Sequence, residues 1–226
     1  MTAHQHAPAV LFDVDGTLVD SNYLHVSAWQ RAFAKREVPV DAWRIHRSIG
    51  MDGSTLVNDL SGGVDEDVRD ELSSLHSRYY GELSDLLRPL PGARELLRRV
   101  AELGLQVVLA TSAPESELSI LRRVLDCDDV VSHVTSSEDV DTAKPQPDII
   151  QVALDRAGVT APRAVFVGDA VWDVEACVRA EVPCIGLLSG GAGRDELRSA
   201  GAVDVFEDPR ELLQNLDETC LAMLGD

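Results

Sequence analysis

The chain has 226 residues, of which 45% are hydrophobic and 26% are charged, and its formal net charge at pH 7 is −19. This length and composition suit one large globular domain, or a domain with a smaller insertion. The negative charge argues against nucleic acids and anionic membranes as partners, because both attract basic protein surfaces.

The four cysteines have no C-x-x-C spacing, and no uncharged apolar run reaches the roughly 18 residues of a membrane helix. The N-terminal residues do not resemble a secretory leader. We therefore expect a cytoplasmic protein with reduced thiols and no membrane segment.

The first predicted element is a buried strand around Val10-Leu11-Phe12, which ends in Asp13-Val14-Asp15-Gly16-Thr17. An apolar run closed by aspartates and a glycine is typical of a parallel strand that carries carboxylates to its C-terminal end. The Asp-x-Asp spacing places both side chains on one face, and the turn at Gly16 and Thr17 can present backbone N–H groups to an anion.

Residues 20–87 have helical periodicity and no convincing strand. Helices are predicted from Ser21 to Glu37, after Asp41 as far as Arg47, from Ser54 to Leu60, and from Asp65 to Leu86. This segment is predicted to be a helical domain of residues 20–87, inserted after the first strand of a core formed by residues 1–19 and 88–226.

Strands and helices alternate in the rest of the chain, which starts with a helix between Pro91 and Gly104. Further strands are predicted at 106–110, 130–134, 164–167, 183–188 and 203–206, and further helices at 115–125, 148–157, 173–180, 194–200 and 209–224. Such alternation predicts an α/β fold with a doubly wound parallel sheet and helices on both faces.

Three apolar strands end in residues suited to phosphate or metal chemistry, and a lysine precedes a nearby helix. The residues are Asp13 and Asp15 after the first strand, Thr111 and Ser112 after the second, Gly168 and Asp169 after the fourth, and Lys144 shortly before Asp148. Because ligands bind at the carboxyl ends of parallel strands, we expect these groups to meet at one edge of the sheet.

Each residue type has a chemical reason to be there. Clustered carboxylates repel one another unless a cation joins them, and Mg²⁺ is the default for oxygen ligands. Lys144 can hold a phosphate and neutralise Asp13, and the Thr111 hydroxyl can donate to phosphate oxygens. Asp13 can then act as a nucleophile that becomes an aspartyl phosphate, and Asp15 can act as general acid and base.

The chain resembles the haloacid dehalogenase superfamily of phosphohydrolases, in the branch with a helical cap that includes phosphoglycolate phosphatases and β-phosphoglucomutase-like proteins. The motifs that carry the resemblance are Asp13-x-Asp15-Gly16-Thr17, Thr111, Lys144-Pro-x-Pro-Asp148 and Gly168-Asp169-x-x-x-Asp173, in the family's order. The resemblance covers nearly the whole chain and implies a Rossmann-like core.

The resemblance also implies roles for individual residues. Asp13 is the implied nucleophile and Asp15 the acid/base. The implied Mg²⁺ ligands are Asp13, the backbone carbonyl of Asp15, and Asp169, with Asp173 in direct or outer-sphere contact. Thr111 and Lys144 hold the phosphoryl group. Asp173 could instead cap the helix that starts there.

Six further residues are candidates for substrate binding. They are Gly16, Thr17 and Ser112 near the phosphate, and His25, Arg47 and Met51 in the helical insertion. The segment Asp20–Trp29 resembles the first cap helix of the family, so His25 can face the site or belong to the cap's interior. Arg47 and the loop Gly50–Gly53 can select the substrate or form a solvated turn.

A Mg²⁺-dependent phosphatase acting on a small phosphorylated metabolite is the leading hypothesis. Dehalogenases of the superfamily lack a carboxylate at the position of Asp15, and sugar phosphomutases usually carry a basic residue where this chain reads Met51-Asp52-Gly53. A phosphomutase and a phosphoacceptor without turnover are the alternatives, although a receiver-type acceptor needs only about half this length. The sequence does not set the substrate or the oligomeric state, for which a monomer is the default expectation.

Overall fold

A computed structural model describes residues 6–140, 142 and 144–224 of the chain. Its strands are β1 (Ala9–Phe12), β2 (Gln106–Ala110), β3 (Val131–Thr135), β4 (Ala164–Gly168), β5 (Cys184–Leu187) and β6 (Asp204–Phe206). Its α-helices are α1 (Asn22–Lys35), α2 (Ala42–Ser48), α3 (Gly53–Ser61), α4 (Glu66–Gly81), α5 (Ala93–Glu102), α6 (Glu115–Leu125), α7 (Asp148–Ala157), α8 (Val171–Arg179), α9 (Arg194–Ala200) and α10 (Pro209–Gln214). None of the helices in this described part is both long and apolar enough to cross a membrane.

The strands form one parallel sheet in the order β3-β2-β1-β4-β5-β6. Strand β1 lies between β2 and β4, and all four of its residues are buried. The predicted doubly wound α/β fold is confirmed. The next strand in the sequence, β2, lies on one side of β1, and the chain later crosses to β4 on the other side. The carboxyl ends of these three strands are therefore neighbours.

Alternate residues of the central strands face two separate apolar layers, as the two-residue period of a strand requires. Val10 and Phe12 pack with residues of α5, α6 and α10 on one face of the sheet. Ala9 and Leu11 pack with residues of α7, α8 and α9 on the other face. The sheet is therefore buried on both sides, which explains the uninterrupted apolar run at the start of the chain.

Helices α1 to α4 come between β1 and β2 in the sequence. They enclose an apolar cluster of their own, which includes Trp29, Phe33 and Leu72. The chain enters and leaves this insertion through two paired segments, since the Asp20 N–H donates to the Arg88 carbonyl over 2.9 Å. These contacts support our proposed division into a core (1–19 and 88–226) and a cap (20–87), which stays a prediction.

Two predicted helices are too long. Helix α4 ends at Gly81 and is followed by a 3₁₀ turn at Ser84–Leu86, because glycine is a poor helix former. Helix α10 ends at Gln214, where the Asn215 side chain donates to the Glu211 carbonyl, and short 3₁₀ turns replace the predicted helix as far as Leu224.

Truncation of a buried aromatic residue tests the cap's apolar cluster. Phe33 is 1% exposed and Trp43, on the surface of the cap, is 67% exposed. Phe33→Ala should lower the free energy of unfolding by about 3–5 kcal/mol, since the lost ring leaves a cavity. Trp43→Ala should change it by less than about 0.5 kcal/mol. Urea unfolding followed by circular dichroism measures both, and equal losses would contradict this assignment.

Candidate active site

The polar residues that follow β1, β2 and β4 line one cavity of about 970 Å³ between the core and the cap. Asp13 and Asp15 follow β1, Thr111 follows β2 and Asp169 follows β4. Lys144, from the segment before α7, lines the same cavity. The structure thus brings together the residues for which the sequence predicts metal and phosphate chemistry.

Lys144 lies between two carboxylates. Its Nζ is 2.7 Å from Asp13 Oδ1 and 2.6 Å from Asp173 Oδ1, and its side chain has no exposed surface. Burial disfavours the charged ammonium, but the two carboxylates outweigh burial and raise the pKa of Lys144. Lys144 is therefore a fixed positive charge at the end of the sheet.

Asp169 is held by groups from both sides of the domain boundary. It accepts hydrogen bonds of 2.8 Å from the Thr17 hydroxyl and from the Asn22 side-chain amide at the start of α1. A Cβ on Gly190 would lie 1.6 Å from Asp169 Oδ2, and one on Gly16, which has φ +71°, would lie 2.5 Å from the same oxygen. Both positions therefore require glycine beside this carboxylate.

Asp173 serves both purposes that the sequence leaves open. Its Oδ2 accepts the backbone N–H groups of Asp169 at 3.2 Å and Ala170 at 3.0 Å, at the start of α8. Its Oδ1 forms the ion pair with Lys144. The residue therefore caps the helix and also belongs to the charged cluster.

Three buried carboxylates, those of Asp13, Asp169 and Asp173, each have an oxygen within 4.8 Å of the others. Burial raises the pKa of Asp13 well above its usual value, and burial together with Asp173 raises that of Asp169 to about 7. When all three are ionised, three negative charges against the one of Lys144 leave a net charge of −2. This set of hard oxygen donors fits a divalent cation.

Asp15 lies at one end of a row of buried polar groups. Its Oδ1 accepts from the Ser21 hydroxyl at 2.5 Å and lies 3.1 Å from His25 Nε2. His25 Nδ1 is 3.0 Å from His76 Nε2 in α4, and His76 Nδ1 is 3.7 Å from Glu117 Oε1 in α6. Burial opposes the ionisation of Asp15, but His25 and Ser21 outweigh it and lower its pKa.

Thr111 and the two remaining predicted residues beside it also reach the cavity. Thr111 is buried, and its hydroxyl oxygen accepts the Ala113 N–H at 3.1 Å, which leaves its proton free to donate. Ser112 lines the cavity and donates to the Gly50 carbonyl at 3.3 Å, and Met51 lines it from the adjacent cap loop.

Three predicted substrate contacts lie elsewhere. The guanidinium of Arg47 is 2.5 Å from Glu196, and Arg47 does not line the cavity. Gly16 and Thr17 also lie outside the lining, where they support Asp169 instead. Gly16 and Thr17 therefore help to position a carboxylate of the cluster, and they do not line the cavity.

Sequence reasoning missed Asn22, His76 and Glu117. Asn22 directly follows the segment Asp20-Ser21, so the start of α1 gave a signal for it. His76 and Glu117 lie inside ordinary amphipathic helices and reach the cavity only through the packing of α4 against the core. Neither helix had a pattern that would have distinguished these residues.

Comparison with known proteins gives the family. The model of the haloacid dehalogenase-like hydrolase family matches residues 10–187. The chain belongs to this family. A phosphoglycolate phosphatase from Pseudomonas putida is 30% identical over 211 residues, which cover 90% of this chain and 78% of that protein. A phosphorylated carbohydrates phosphatase from Thermotoga maritima is 29% identical over 215 residues, 93% of this chain and 98% of that protein.

Solved structures agree with this haloacid dehalogenase-like fold. A hydrolase from Pseudomonas syringae has a TM-score of 0.90 and 37% identity, and the match covers 93% of this chain and 98% of that one. The β-phosphoglucomutase of Clostridium difficile has a TM-score of 0.82 at 19% identity, covering 94% and 96%, which supports the fold alone. The predicted enzyme class, a hydrolase acting on phosphoric monoesters, is confirmed.

Added Mg²⁺ should stabilise the hydrolase, because it relieves the repulsion within the carboxylate cluster. A cation that binds only the folded state at about 100 times its Kd adds about 2.7 kcal/mol. We expect MgCl₂ to raise Tm in scanning calorimetry at constant ionic strength, and Asp169→Asn to reduce this rise. Asp59→Asn, an exposed site on α3, makes the same charge change as a control. An undiminished rise in the Asp169 variant would contradict the site.

Proposed function

We propose that this hydrolase is a Mg²⁺-dependent phosphatase that cleaves a small phosphorylated metabolite through a phosphorylated Asp13. The ion pair between buried Lys144 and Asp13, next to Asp169, is the observation that carries the proposal. It places a positive charge for a phosphate beside an acidic nucleophile. The names of the curated relatives, both phosphatases, support the same reaction.

Asp13, Asp169, Asp173 and the backbone carbonyl of Asp15 are the proposed metal ligands. A bound Mg²⁺ supplies positive charge that neutralises the carboxylates and polarises the phosphoryl group. The geometry supports this set, because Thr17 and Asn22 fix Asp169 while the Asp15 side chain is turned to Ser21 and His25.

In the first step, a carboxylate oxygen of Asp13 attacks phosphorus and the bond from phosphorus to the ester oxygen breaks. Lys144 opposes the effect of burial on Asp13 and favours its ionised form, and together with Thr111 it binds the phosphoryl oxygens. The proton that Asp15 shares with His25 passes through Asp15 to the leaving oxygen. The products of this step are the alcohol and the phosphorylated Asp13.

In the second step, ionised Asp15 takes a proton from a water molecule. The oxygen of that water attacks phosphorus, and the bond between phosphorus and Asp13 breaks to release inorganic phosphate. The pair of Asp15 and His25 regains its proton in this step, which returns the enzyme to its starting state.

His25, in helix α1 of the cap, contacts Asp15 and affects where the proton lies. The pKa of His25 is raised, since Asp15 and Glu117 outweigh the opposing effect of burial. The imidazole and the carboxylate therefore titrate as a pair that shares the proton used at the leaving oxygen. Through this contact, closure of the cap completes the acid/base group.

A cytoplasmic location is part of the same proposal. The four cysteines are free, and reducing compartments keep such residues as thiols.

Replacement of the nucleophile should remove turnover. We expect Asp13→Asn to reduce the hydrolysis of p-nitrophenyl phosphate with Mg²⁺ by roughly 10⁴-fold or more, because the amide cannot form the phosphorylated intermediate. Thermal unfolding checks that the variant is folded, and acid quenching of the wild type during turnover should trap phosphate on Asp13. Persistent activity of the variant would exclude Asp13 as nucleophile. Labelling of the wild type without turnover would favour the phosphoacceptor.

Replacement of Asp15 should affect mainly the second step with this substrate. The p-nitrophenolate group leaves without a proton, whereas the attacking water needs a base. We expect Asp15→Asn to slow steady-state hydrolysis by at least about 10²-fold. Stopped-flow absorbance should then show a burst of p-nitrophenol close to the enzyme concentration. An unchanged steady-state rate would remove Asp15 from the acid/base role.

A further inference from the structure

The charges around the cavity are unevenly distributed. Among the described residues that line it, Lys144 is the only lysine or arginine, whereas Asp52 and Glu117 add carboxylates beyond those of the cluster. Asp52 belongs to the cap loop and Glu117 to α6 of the core. The part of the cavity next to the cap, which receives the leaving group, is therefore acidic.

The cations near this part are already paired. Lys144 is held between Asp13 and Asp173, at the far end of the sheet. His25 faces Asp15, and the pKa of His76 lies well below its usual value because of burial and His25. A second anionic group on a substrate would find no unpaired lysine, arginine or charged histidine among the described lining residues.

Asp52 remains charged at neutral pH. Its Oδ1 accepts the backbone N–H groups of Ser54 at 2.9 Å and Thr55 at 3.2 Å, at the start of α3. Burial opposes its ionisation, but these hydrogen bonds outweigh burial and lower its pKa. Glu117 is buried, which raises its pKa, and it accepts the Ser77 hydroxyl at 3.2 Å beside His76.

Uncharged hydrogen-bonding side chains and one tryptophan also line the part of the cavity next to the cap. The hydroxyl side chains are Ser54, Thr55, Ser73, Ser74 and Ser77. Trp29, whose ring stacks on His76 with 4.1 Å between centroids, adds an apolar surface. Hydroxyl groups both donate and accept hydrogen bonds, which matches a leaving group that bears hydroxyls of its own.

We propose that the cavity selects a phosphate monoester whose leaving group carries hydroxyl groups and no second anionic group. Asp52 and Glu117 are the specificity-determining residues, since the charge of Asp52 repels a carboxylate or a second phosphate and the buried acid Glu117 disfavours a further anion beside it. The inference rests on the proposed phosphatase function, which places the phosphoryl group at Lys144. It also disfavours the phosphomutase alternative wherever that reaction requires a bisphosphate.

Three esters of equal length isolate the charge of the leaving group. 2-Hydroxyethyl phosphate ends in a hydroxyl, 2-phosphoglycolate in a carboxylate and O-phosphoethanolamine in an ammonium group. We expect kcat/KM for the hydroxyl ester to exceed that for the carboxylate ester by roughly tenfold or more. The ammonium ester should lie nearer the hydroxyl ester. Equal or better hydrolysis of 2-phosphoglycolate would overturn the proposal.

Two variants test the named residues. Asp52→Asn keeps the helix cap, because asparagine caps as well as aspartate, and Glu117→Gln keeps an acceptor for Ser77. Each variant should lower the ratio of kcat/KM for the hydroxyl ester to kcat/KM for the carboxylate ester by roughly threefold or more. Asp59→Asn, outside the cavity, should leave this ratio unchanged. An unchanged ratio in both the Asp52 and the Glu117 variant would overturn their assignment.

The phosphatase proposal can be wrong independently of the inferred selectivity for uncharged leaving groups. If the wild type hydrolyses neither these esters nor p-nitrophenyl phosphate, the phosphatase proposal is wrong. Calorimetric titration of the wild type with the three esters in MgCl₂ then decides the inference. Tightest binding of 2-phosphoglycolate would overturn it, and weakest binding of that ester would support it.

Discussion

The ion pairs of Lys144 with Asp13 and Asp173 hold the site together. A buried ammonium is unfavourable alone, and the two carboxylates beside Lys144 stabilise its charge, while Lys144 in turn offsets part of the cost of burying Asp13. The ammonium offsets only part of the negative charge that Asp13, Asp169 and Asp173 bring to the end of the sheet. When all three carboxylates are ionised, the remaining charge of −2 is one that a divalent cation would neutralise.

The topology of the sheet makes this cluster possible. Strand β1 contributes Asp13, and its neighbour β4 contributes Asp169, so the two carboxylates share one edge although 156 positions separate them, from 13 to 169. The insertion after β1 then returns over the same edge, and its first helix supplies Asn22 to Asp169. Gly190 leaves the space that this carboxylate occupies. The core therefore positions the reacting groups, while the cap completes their hydrogen bonds.

The sequence predicts the residues that follow parallel strands, because the carboxyl ends of such strands share one edge of the sheet. It does not predict the residues whose position depends on packing between the cap and the core. Asp13 and Asp169 follow apolar strands, so their meeting required only the fold class. The sequence predicts Arg47 as a substrate contact because of its place beside the cap loop, whereas in the structure its guanidinium pairs with Glu196. His76 became visible only when α4 packed against α6, since nothing in a helical pattern states which core residue it will face.

The row of groups from Asp15 to Glu117 joins the chemistry to the choice of substrate. In the proposed mechanism Asp15 handles the proton and the leaving group lies near Glu117, and His25 and His76 connect these two residues through the cap. Both ends belong to the core and the two histidines belong to the cap, so the row depends on the contact between core and cap. If the proposed function holds, an anionic leaving group beside Glu117 would disturb this contact, on which the proposed acid/base group depends. Discrimination against a second anion should consequently appear in the rate of the chemical step as well as in binding.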